Sequence, residues 1–249
     1  MAKRSAVRRA TRENVVELVS SGDRGAKHGA WSPLAAEEPR DQSFLKVVKP
    51  RSEGQAALMA AIDAFPLVMA LGPAGTGKTY LAISKAVEAL EAGRVGRIVL
   101  SRPAVEAGES IGFLPGDMED KLAPYLRPLY DALQDRLSSK RLKTMMAEGL
   151  IEIAPIGFMR GRTLNNAFVV IDEAQNCTYV QIKMLLTRLG WNSTMVVTGD
   201  PAQSDLLPEL SGLASIADKL EPVRDIAVVR LTEVDIVRHP LVASMLGVL

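Results

Sequence analysis

Short apolar runs alternate along this chain with longer segments in which apolar residues recur every three or four positions. The runs are continuously apolar, which is typical of strands buried on both faces of a parallel sheet. We predict strands at residues 67–71, 97–100, 151–153, 168–171, 195–198 and 226–229, and helices at 52–64, 80–91, 119–148, 178–189, 211–220 and 240–248. Strands and helices that alternate at this spacing predict an α/β fold with a mainly parallel central sheet and helices on both faces.

The composition divides the chain into two parts. Residues 20–40 are rich in Gly, Ser, Pro and charged residues and show little periodicity, whereas the composition changes near Phe44. We therefore expect a flexible basic arm at 1–43 and one folded domain at 44–249. Residues 1–51 hold 11 Lys or Arg against 6 Asp or Glu, and the remaining residues hold 19 against 23. Such an arm fits either a solvated tail or a segment that contacts nucleic acid.

The overall composition indicates a globular protein of a reducing compartment. The 249 residues are 47% hydrophobic and 24% charged, which is close to the average globular domain and excludes a disordered or fibrous chain. Cys177 is the single cysteine, so an intrachain disulfide is excluded and we expect a cytoplasmic protein. No uncharged apolar stretch reaches the roughly 18 residues that a membrane span needs. We interpret Cys177 as a small packed side chain rather than a nucleophile.

A glycine-rich loop between the first predicted strand and the next predicted helix carries the strongest signal. It fits the pattern G-x-x-x-x-G-K-[ST], in which backbone N–H groups face a phosphate and the helix N-terminus points at that anion. We expect Lys78 to reach the β- and γ-phosphates and the Thr79 hydroxyl to complete a Mg²⁺ site. The alternative is a chance glycine loop before a helix. The predicted nucleotide-binding residues are Gly72, Pro73, Ala74, Gly75, Thr76, Gly77, Lys78 and Thr79.

Two acids follow the predicted strand at 168–171. On a central strand, Asp172 and Glu173 would emerge at the carboxyl edge of the sheet, where ligands of such sheets bind. We expect Asp172 to be a direct or indirect partner of Mg²⁺ and Glu173 to act as the general base for an attacking water. The alternative is that the two acids merely cap the helix that follows.

These features, taken with several further stretches, resemble the PhoH family of phosphate-starvation-inducible ATPases. Residues 172–175 read DEAQ and residues 197–203 read VTGDPAQ, a pairing that also resembles the ATPase core of superfamily-1 helicases. The other matching stretches are LGPAGTGKTYLA, SRPAVEAGESIGFLPGD, MRGRTLNNAFVVIDEAQN, LLTRLG and DIVRHPLV. The resemblance extends from about Gln55 to Val242 and implies a single RecA-like P-loop NTPase domain.

The resemblance also implies roles for residues outside the loop. Gln55 would read adenine, with a merely solvated glutamine as the alternative. Gln203 would sense the γ-phosphate. Arg238 would contact the γ-phosphate and neutralise charge that develops in phosphoryl transfer, with a surface salt bridge as the alternative. Arg160 and Arg162 are candidates for contact with nucleic-acid phosphates or with a neighbouring subunit's active site.

The function implied by the resemblance is Mg²⁺-dependent hydrolysis of ATP, coupled to RNA or another single-stranded nucleic acid. Two alternatives stay open, a non-hydrolysing switch whose assembly is gated by ATP and a metabolic kinase that uses the same loop. Superfamily-1 helicases carry a second motor domain, and residues 239–249 are too few to form one. We therefore expect a homo-oligomer, most simply a hexameric ring of subunits packed head to tail.

Overall fold

The computed structural model describes residues 47–103, 118–207 and 210–237, which form six α-helices and six strands. The helices are α1 Glu53–Ala64, α2 Lys78–Glu91, α3 Met118–Gln134, α4 Ser139–Ala147, α5 Tyr179–Leu186 and α6 Leu213–Leu220. The strands are β1 Leu67–Leu71, β2 Arg97–Arg102, β3 Ile151–Pro155, β4 Ala167–Ile171, β5 Thr194–Gly199 and β6 Ile226–Arg230. The predicted arm at 1–43, the predicted helix at 240–248 and Arg238 lie outside the described residues.

All six strands join one parallel sheet in the order β3-β2-β4-β5-β1-β6. This arrangement confirms the predicted α/β fold. β5 lies between β1, which precedes the glycine loop, and β4, which precedes the two acids. Because parallel strands end at the same edge, this order brings the loop, the acids and the end of β5 together.

Alternate residues of the central strands belong to different apolar clusters on the two faces of the sheet. In β1, Val68 and Ala70 belong to the cluster that includes residues of α1, α2 and α3. Met69 and Leu71 belong to the cluster that includes residues of α5 and α6. Every residue of β1 is buried, so the continuous apolar run reflects burial on both faces. None of the described helices is long and apolar enough to cross a membrane.

The prediction of one continuous helical segment at 119–148 is wrong in its middle. α3 ends at Gln134, and α4 begins after Ser138, whose hydroxyl accepts a hydrogen bond from the Arg141 N–H at 3.3 Å. A serine that satisfies a backbone N–H in this way is a favoured start for a helix. Leu137 and Leu142 on either side of the cap are both buried, so the apolar pattern continues across the turn and conceals it.

Leu58 in α1 tests the packing of the helices on the sheet. Its side chain has no exposed surface, so Leu58→Ala should lower the free energy of unfolding by about 2–5 kcal/mol through lost burial and the cavity left behind. Leu207 is 67% exposed, and Leu207→Ala should change that free energy by less than about 0.5 kcal/mol. Urea denaturation of both variants measures the difference. Equal losses would contradict the assigned burial of α1.

Candidate functional site

The glycine loop adopts a conformation that side chains would obstruct. Gly72 has a φ of 139° and its N–H donates to the Gly199 carbonyl at 3.2 Å, which ties the start of the loop to the end of β5. A Cβ atom at Gly72 would collide with the backbone carbonyl of Leu231. Gly77 precedes α2 with a φ of 84°, in the left-handed region that favours glycine. The glycines of the motif are therefore required by the path of the backbone.

Lys78 lies inside the curve of this loop. Its ammonium donates to the carbonyl oxygens of Gly72 at 2.5 Å and Pro73 at 2.8 Å. Burial lowers the pKa of Lys78, and the nearby carboxylates, Asp200 before Glu173, partly oppose that effect. Phosphate oxygens are stronger partners for an ammonium than neutral carbonyls. The loop therefore holds Lys78 where it could exchange these carbonyls for phosphate oxygens.

Two hydroxyl groups converge on one oxygen of Asp172. Thr79 Oγ1 donates to Asp172 Oδ1 at 2.5 Å, and Thr198 Oγ1 donates to the same oxygen at 2.7 Å. Asp172 is buried, and its backbone N–H donates to the Ser101 carbonyl at 2.8 Å. The carboxylate is thus fixed between α2, β5 and β2.

The Thr79 and Asp172 oxygens suit a magnesium ion. Mg²⁺ prefers hard oxygen ligands and is commonly held by one or two protein groups, with waters and substrate phosphates completing its coordination. The described residues include no group of three or more His, Cys, Asp or Glu that could hold a metal ion without such help. Thr79 and Asp172 would supply two oxygens to a Mg²⁺ at this position, with waters and phosphate oxygens as its other ligands.

Glu173 has an unusual backbone and is held on both carboxylate oxygens. Its φ of 53° lies in the left-handed region, which costs a residue with a side chain about 1–3 kcal/mol and is often found at functional sites. Gln175 Nε2 donates to Glu173 Oε2 at 2.5 Å, and the Arg102 guanidinium donates to Oε1 at 3.4 Å. Glu173 precedes the short 3-10 turn Ala174–Asn176 but its side chain makes no capping hydrogen bond there, and Thr178 caps α5, so the alternative that the acids merely cap the next helix is not supported.

The loop and the acids face a common cleft of about 280 Å³. Gln203 also lines this cleft, although its side chain is exposed. Its position follows from β5, since the Gln203 N–H donates to the Asp200 carbonyl at 3.0 Å in the turn after that strand. The structure therefore brings Gln203 to the same cleft as Lys78 and Glu173.

Gln55 lies under the glycine loop. Its side chain is buried, its Nε2 donates to the Thr76 carbonyl at 3.0 Å, and its Oε1 accepts from the Arg51 N–H at 2.9 Å. The alternative of a merely solvated glutamine is therefore wrong. These contacts support the loop from below, and recognition of adenine by Gln55 stays a prediction.

The last described residues are attached to the same loop. The Val237 N–H donates to the Gly75 carbonyl at 2.9 Å. Just before it, Asp235 accepts hydrogen bonds from the N–H groups of Thr232 at 2.8 Å and Gly54 at 3.2 Å. Hydrogen bonds, chiefly from the Ser52 hydroxyl and the Thr232 N–H, lower the pKa of Asp235. The chain is thus joined to both α1 and the loop directly before Arg238.

The two candidate arginines beyond the cleft differ in their surroundings. Arg162 forms a bidentate ion pair with Glu152, with N–O distances of 2.5 and 2.7 Å. This hydrogen bonding lowers the pKa of Glu152 and raises the pKa of Arg162. Arg160 is exposed and lines a second groove. Arg162 is therefore committed to its own chain, whereas Arg160 presents its charge at the surface.

Cys177 lies in the core below the acids. It has no exposed surface, and burial raises the pKa of its thiol to about 12. A thiol in this state is protonated and inert near neutral pH. This agrees with the interpretation of Cys177 as a packed side chain.

The sequence of this chain also matches a known protein family. A family model described as "PhoH-like protein" matches residues 47–249. The chain belongs to the PhoH-like family. The match takes in the loop, both acids and all six strands, so the site described above lies inside the family's shared region.

Individual PhoH-like proteins share much of this sequence. The chain is 54% identical to a PhoH-like protein of Mycobacterium tuberculosis over 201 residues. The aligned region is 80% of this chain and 57% of the relative. It is 52% identical over 202 residues to a PhoH-like protein of Bacillus subtilis, and the aligned region is 81% of this chain and 63% of the relative. Protein PhoH of Escherichia coli K12 is 42% identical over 232 residues, covering 92% and 63%. The matched part thus spans about three fifths of each relative's length.

Solved structures resemble the PhoH-like chain more distantly. The large terminase of a thermophilic bacteriophage covers 80% of this chain and 50% of the terminase chain, with 12% identity and a TM-score of 0.48. The SWI2/SNF2 ATPase core of Sulfolobus solfataricus in complex with dsDNA covers 73% and 43%, with 15% identity and a TM-score of 0.43.

Three residues of the site were not singled out by the sequence. Arg102 contacts both acids, Gln175 contacts Glu173 and Thr198 contacts Asp172, yet the three residues lie on or beside three different strands. Gln175 belongs to the DEAQ stretch, and its position two residues after Glu173 was the available signal. Arg102 and Thr198 reach the acids through strand pairing, which the linear pattern does not specify.

Proposed function

We propose that this PhoH-like chain binds ATP and hydrolyses it to ADP and phosphate with Mg²⁺. The observation that best supports this is the convergence of Lys78, the Thr79–Asp172 pair and Glu173 on one cleft. A loop that binds phosphate and an acid beside a metal-binding oxygen are the groups that phosphoryl transfer to water requires. The single cysteine, which is buried and free of any disulfide, supports a cytoplasmic location.

In this mechanism each residue has a separate task. Lys78 binds the β- and γ-phosphate oxygens after leaving its carbonyl partners, and the N–H groups of the loop surround the same phosphates. Thr79 and Asp172 would hold Mg²⁺, which neutralises charge on the phosphates. Glu173 accepts a proton from the attacking water while the bond between the γ-phosphorus and the bridging oxygen of ADP breaks.

Three glutamine or arginine side chains complete the proposal. Gln203 lies in the cleft and would detect the γ-phosphate. Gln55 lies under the loop, and its Nε2 donates one hydrogen to the Thr76 carbonyl. The second hydrogen of the amide would be the donor to adenine. Arg238 follows Val237, which is bonded to the loop, and this supports contact of Arg238 with the γ-phosphate of its own subunit.

The alternatives lack a comparable supporting observation. A kinase transfers the phosphoryl group to an acceptor other than water, whereas Glu173 lines the cleft directly beside Asp172, where it would serve as a base for water. A non-hydrolysing switch requires the loop and Lys78 but gives no role to Glu173, whose backbone is held in an unfavourable conformation. Both observations favour hydrolysis.

We further propose that single-stranded RNA binds in the second groove, of about 570 Å³. Among the described residues that line it are one cation and no acid, which suits a polyanion. Phe158 lies on the turn beside it and is 62% exposed, which suits stacking of a base. The groove is lined by Pro103, Pro155, Ile156, Gly157, Arg160, Asn176, Thr178, Val180, Gln181, Met184 and Leu206.

We also propose that the protein assembles as a hexameric ring. The cleft lies at the edge of the sheet, so a neighbouring subunit packed head to tail could cover it. Arg160 is exposed and available either to RNA or to such a neighbour. The mass of the assembly in solution decides whether the ring forms.

Lys78→Ala and Glu173→Gln together separate nucleotide binding from turnover. Lys78→Ala should weaken ATP binding and abolish hydrolysis, because the cation that holds the phosphates is gone. Glu173→Gln should still bind ATP while hydrolysis falls about 10²-fold or more, since the amide cannot accept the proton. Phosphate release and binding of a fluorescent ATP analogue measure the two effects. Parental turnover in Lys78→Ala would show that the loop is not the site.

Arg160→Ala and Arg162→Ala form a matched pair for RNA binding. Arg160→Ala should weaken binding of a single-stranded oligouridylate and reduce its salt dependence, because one exposed cation is lost. Arg162→Ala should mainly lower the melting temperature, because it leaves Glu152 without its bidentate partner. Fluorescence anisotropy at several salt concentrations measures the affinity. An unchanged affinity in Arg160→Ala would place RNA elsewhere.

Light scattering tests the ring directly. At micromolar protein with Mg²⁺ and a slowly hydrolysed ATP analogue, we expect the mass of six chains, since nucleotide would complete the interface. Sedimentation at several protein concentrations is the control for aggregation. A monomer with full ATPase activity would overturn the ring and leave catalysis within one chain.

A further inference from the structure

One arginine, Arg102, contacts both acids of the cleft. β2 and β4 are adjacent and in register, with Ser101 beside Ile171, so the residues that follow them lie side by side. The Arg102 guanidinium is 3.7 Å from Asp172 Oδ2 and 3.4 Å from Glu173 Oε1. The Arg102 side chain is only 22% exposed, and water screens such a pair less than a pair at the surface.

The contact with Glu173 occupies an oxygen that hydrolysis needs. Gln175 holds Glu173 Oε2 and Arg102 holds Oε1. A general base must present an oxygen to the water and then receive its proton. Each carboxylate oxygen can accept more than one hydrogen bond, so neither contact blocks it outright, but each contact fixes the carboxylate and takes a place that the attacking water could use. Release of one of the two contacts would free Glu173 to turn toward the water.

The geometry indicates that Arg102 is the partner that leaves. Gln175 is 2% exposed, lies 2.5 Å from Glu173, and is itself fixed by the Asp200 N–H, which donates to its Oε1 at 3.1 Å. Arg102 makes the longer contact and has a flexible, partly exposed side chain. Release of Gln175 would disrupt a buried network, whereas release of Arg102 needs a change of its rotamer.

Arg102 is also connected to the second groove. Pro103 follows it directly and lines that groove, and Asn176, the residue after Gln175, lines the same groove. A ligand that moves this wall would act on the backbone beside Arg102. The restraint on Glu173 is thus adjacent to the surface proposed for RNA.

We propose that Arg102 is a positioning residue that restrains Glu173 until nucleic acid binds. RNA in the groove draws Arg102 away from Glu173 Oε1, and hydrolysis rises. The RNA part of this inference rests on the proposed function, whereas the restraint itself is a property of the chain without RNA.

Arg102→Gln tests the restraint, because it removes the charge and leaves a shorter polar side chain in place of the guanidinium. We expect phosphate release without RNA to rise about fivefold or more, a typical size for coupling between two sites. Stimulation by a single-stranded oligouridylate, expressed as the ratio of rates with and without it, should fall toward one. Arg102→Lys keeps a cation and should retain more of the stimulation.

Arg230→Gln is the matched control. Arg230 ends β6 and also pairs with two carboxylates, Asp218 at 2.8 Å and Glu221 at 3.1 Å, away from the cleft. Its loss should change neither the rate without RNA nor the stimulation ratio. Melting temperature and binding of a fluorescent ATP analogue show whether each variant is folded and loaded.

Each outcome decides between the proposals. A folded, ATP-binding Arg102→Gln whose rate without RNA is unchanged or lower overturns the restraint. If phosphate release rises in Arg102→Gln but RNA does not stimulate the wild type, the restraint is supported and RNA coupling is overturned. If the wild type shows no turnover, turnover that appears in Arg102→Gln supports the restraint, and its absence there overturns it.

Discussion

The hydrogen bonds to one buried oxygen, Asp172 Oδ1, hold the site together. A buried carboxylate is costly unless its oxygens are satisfied, and here Thr79 from α2 and Thr198 from β5 supply the donors. The backbone of Asp172 is fixed as well, since its N–H is bonded to the Ser101 carbonyl of β2. Three elements are thereby fixed around one side chain. The position of Glu173, the next residue, follows from this anchoring.

The charges at this edge of the sheet suit a ligand that is itself mixed in charge. Asp172, Glu173 and Asp200 lie near Lys78, whose pKa burial lowers, and Arg102 pairs with two of these acids. A phosphate group would satisfy Lys78 and the N–H groups of the loop. A divalent cation would satisfy the carboxylate oxygens. A complex of metal and nucleotide offers both signs of charge at once, which is why this arrangement favours such a ligand.

The glycine loop is supported from outside the cleft as well as from within. Gln55 of α1 donates to the Thr76 carbonyl, and Val237 donates to the Gly75 carbonyl. Asp235 in turn binds Gly54 at the start of α1. The helix before the sheet and the segment after β6 therefore hold the loop jointly. Movement of either segment would act on the backbone of the glycine loop through these hydrogen bonds.

The sequence by itself determined the fold class and the main groups of the site. Continuous apolar runs require strands buried on both faces, and the glycine loop with its Lys and Thr carries its chemistry within eight consecutive residues. Local patterns suffice for such features because each depends on near neighbours in the chain. The turn at 135–138 was not predicted because the apolar pattern continues across it.

Tertiary structure alone decided which distant residues meet. The placement of β5 between β1 and β4 brings Thr198 to Asp172, and the pairing of β2 with β4 brings Arg102 to both acids. The tertiary structure also pairs Arg162 with Glu152 and leaves Arg160 exposed, although the two arginines are nearly adjacent in sequence. Strand order follows from how whole faces pack, and runs that are apolar throughout carry no alternation from which the pairing register could be read.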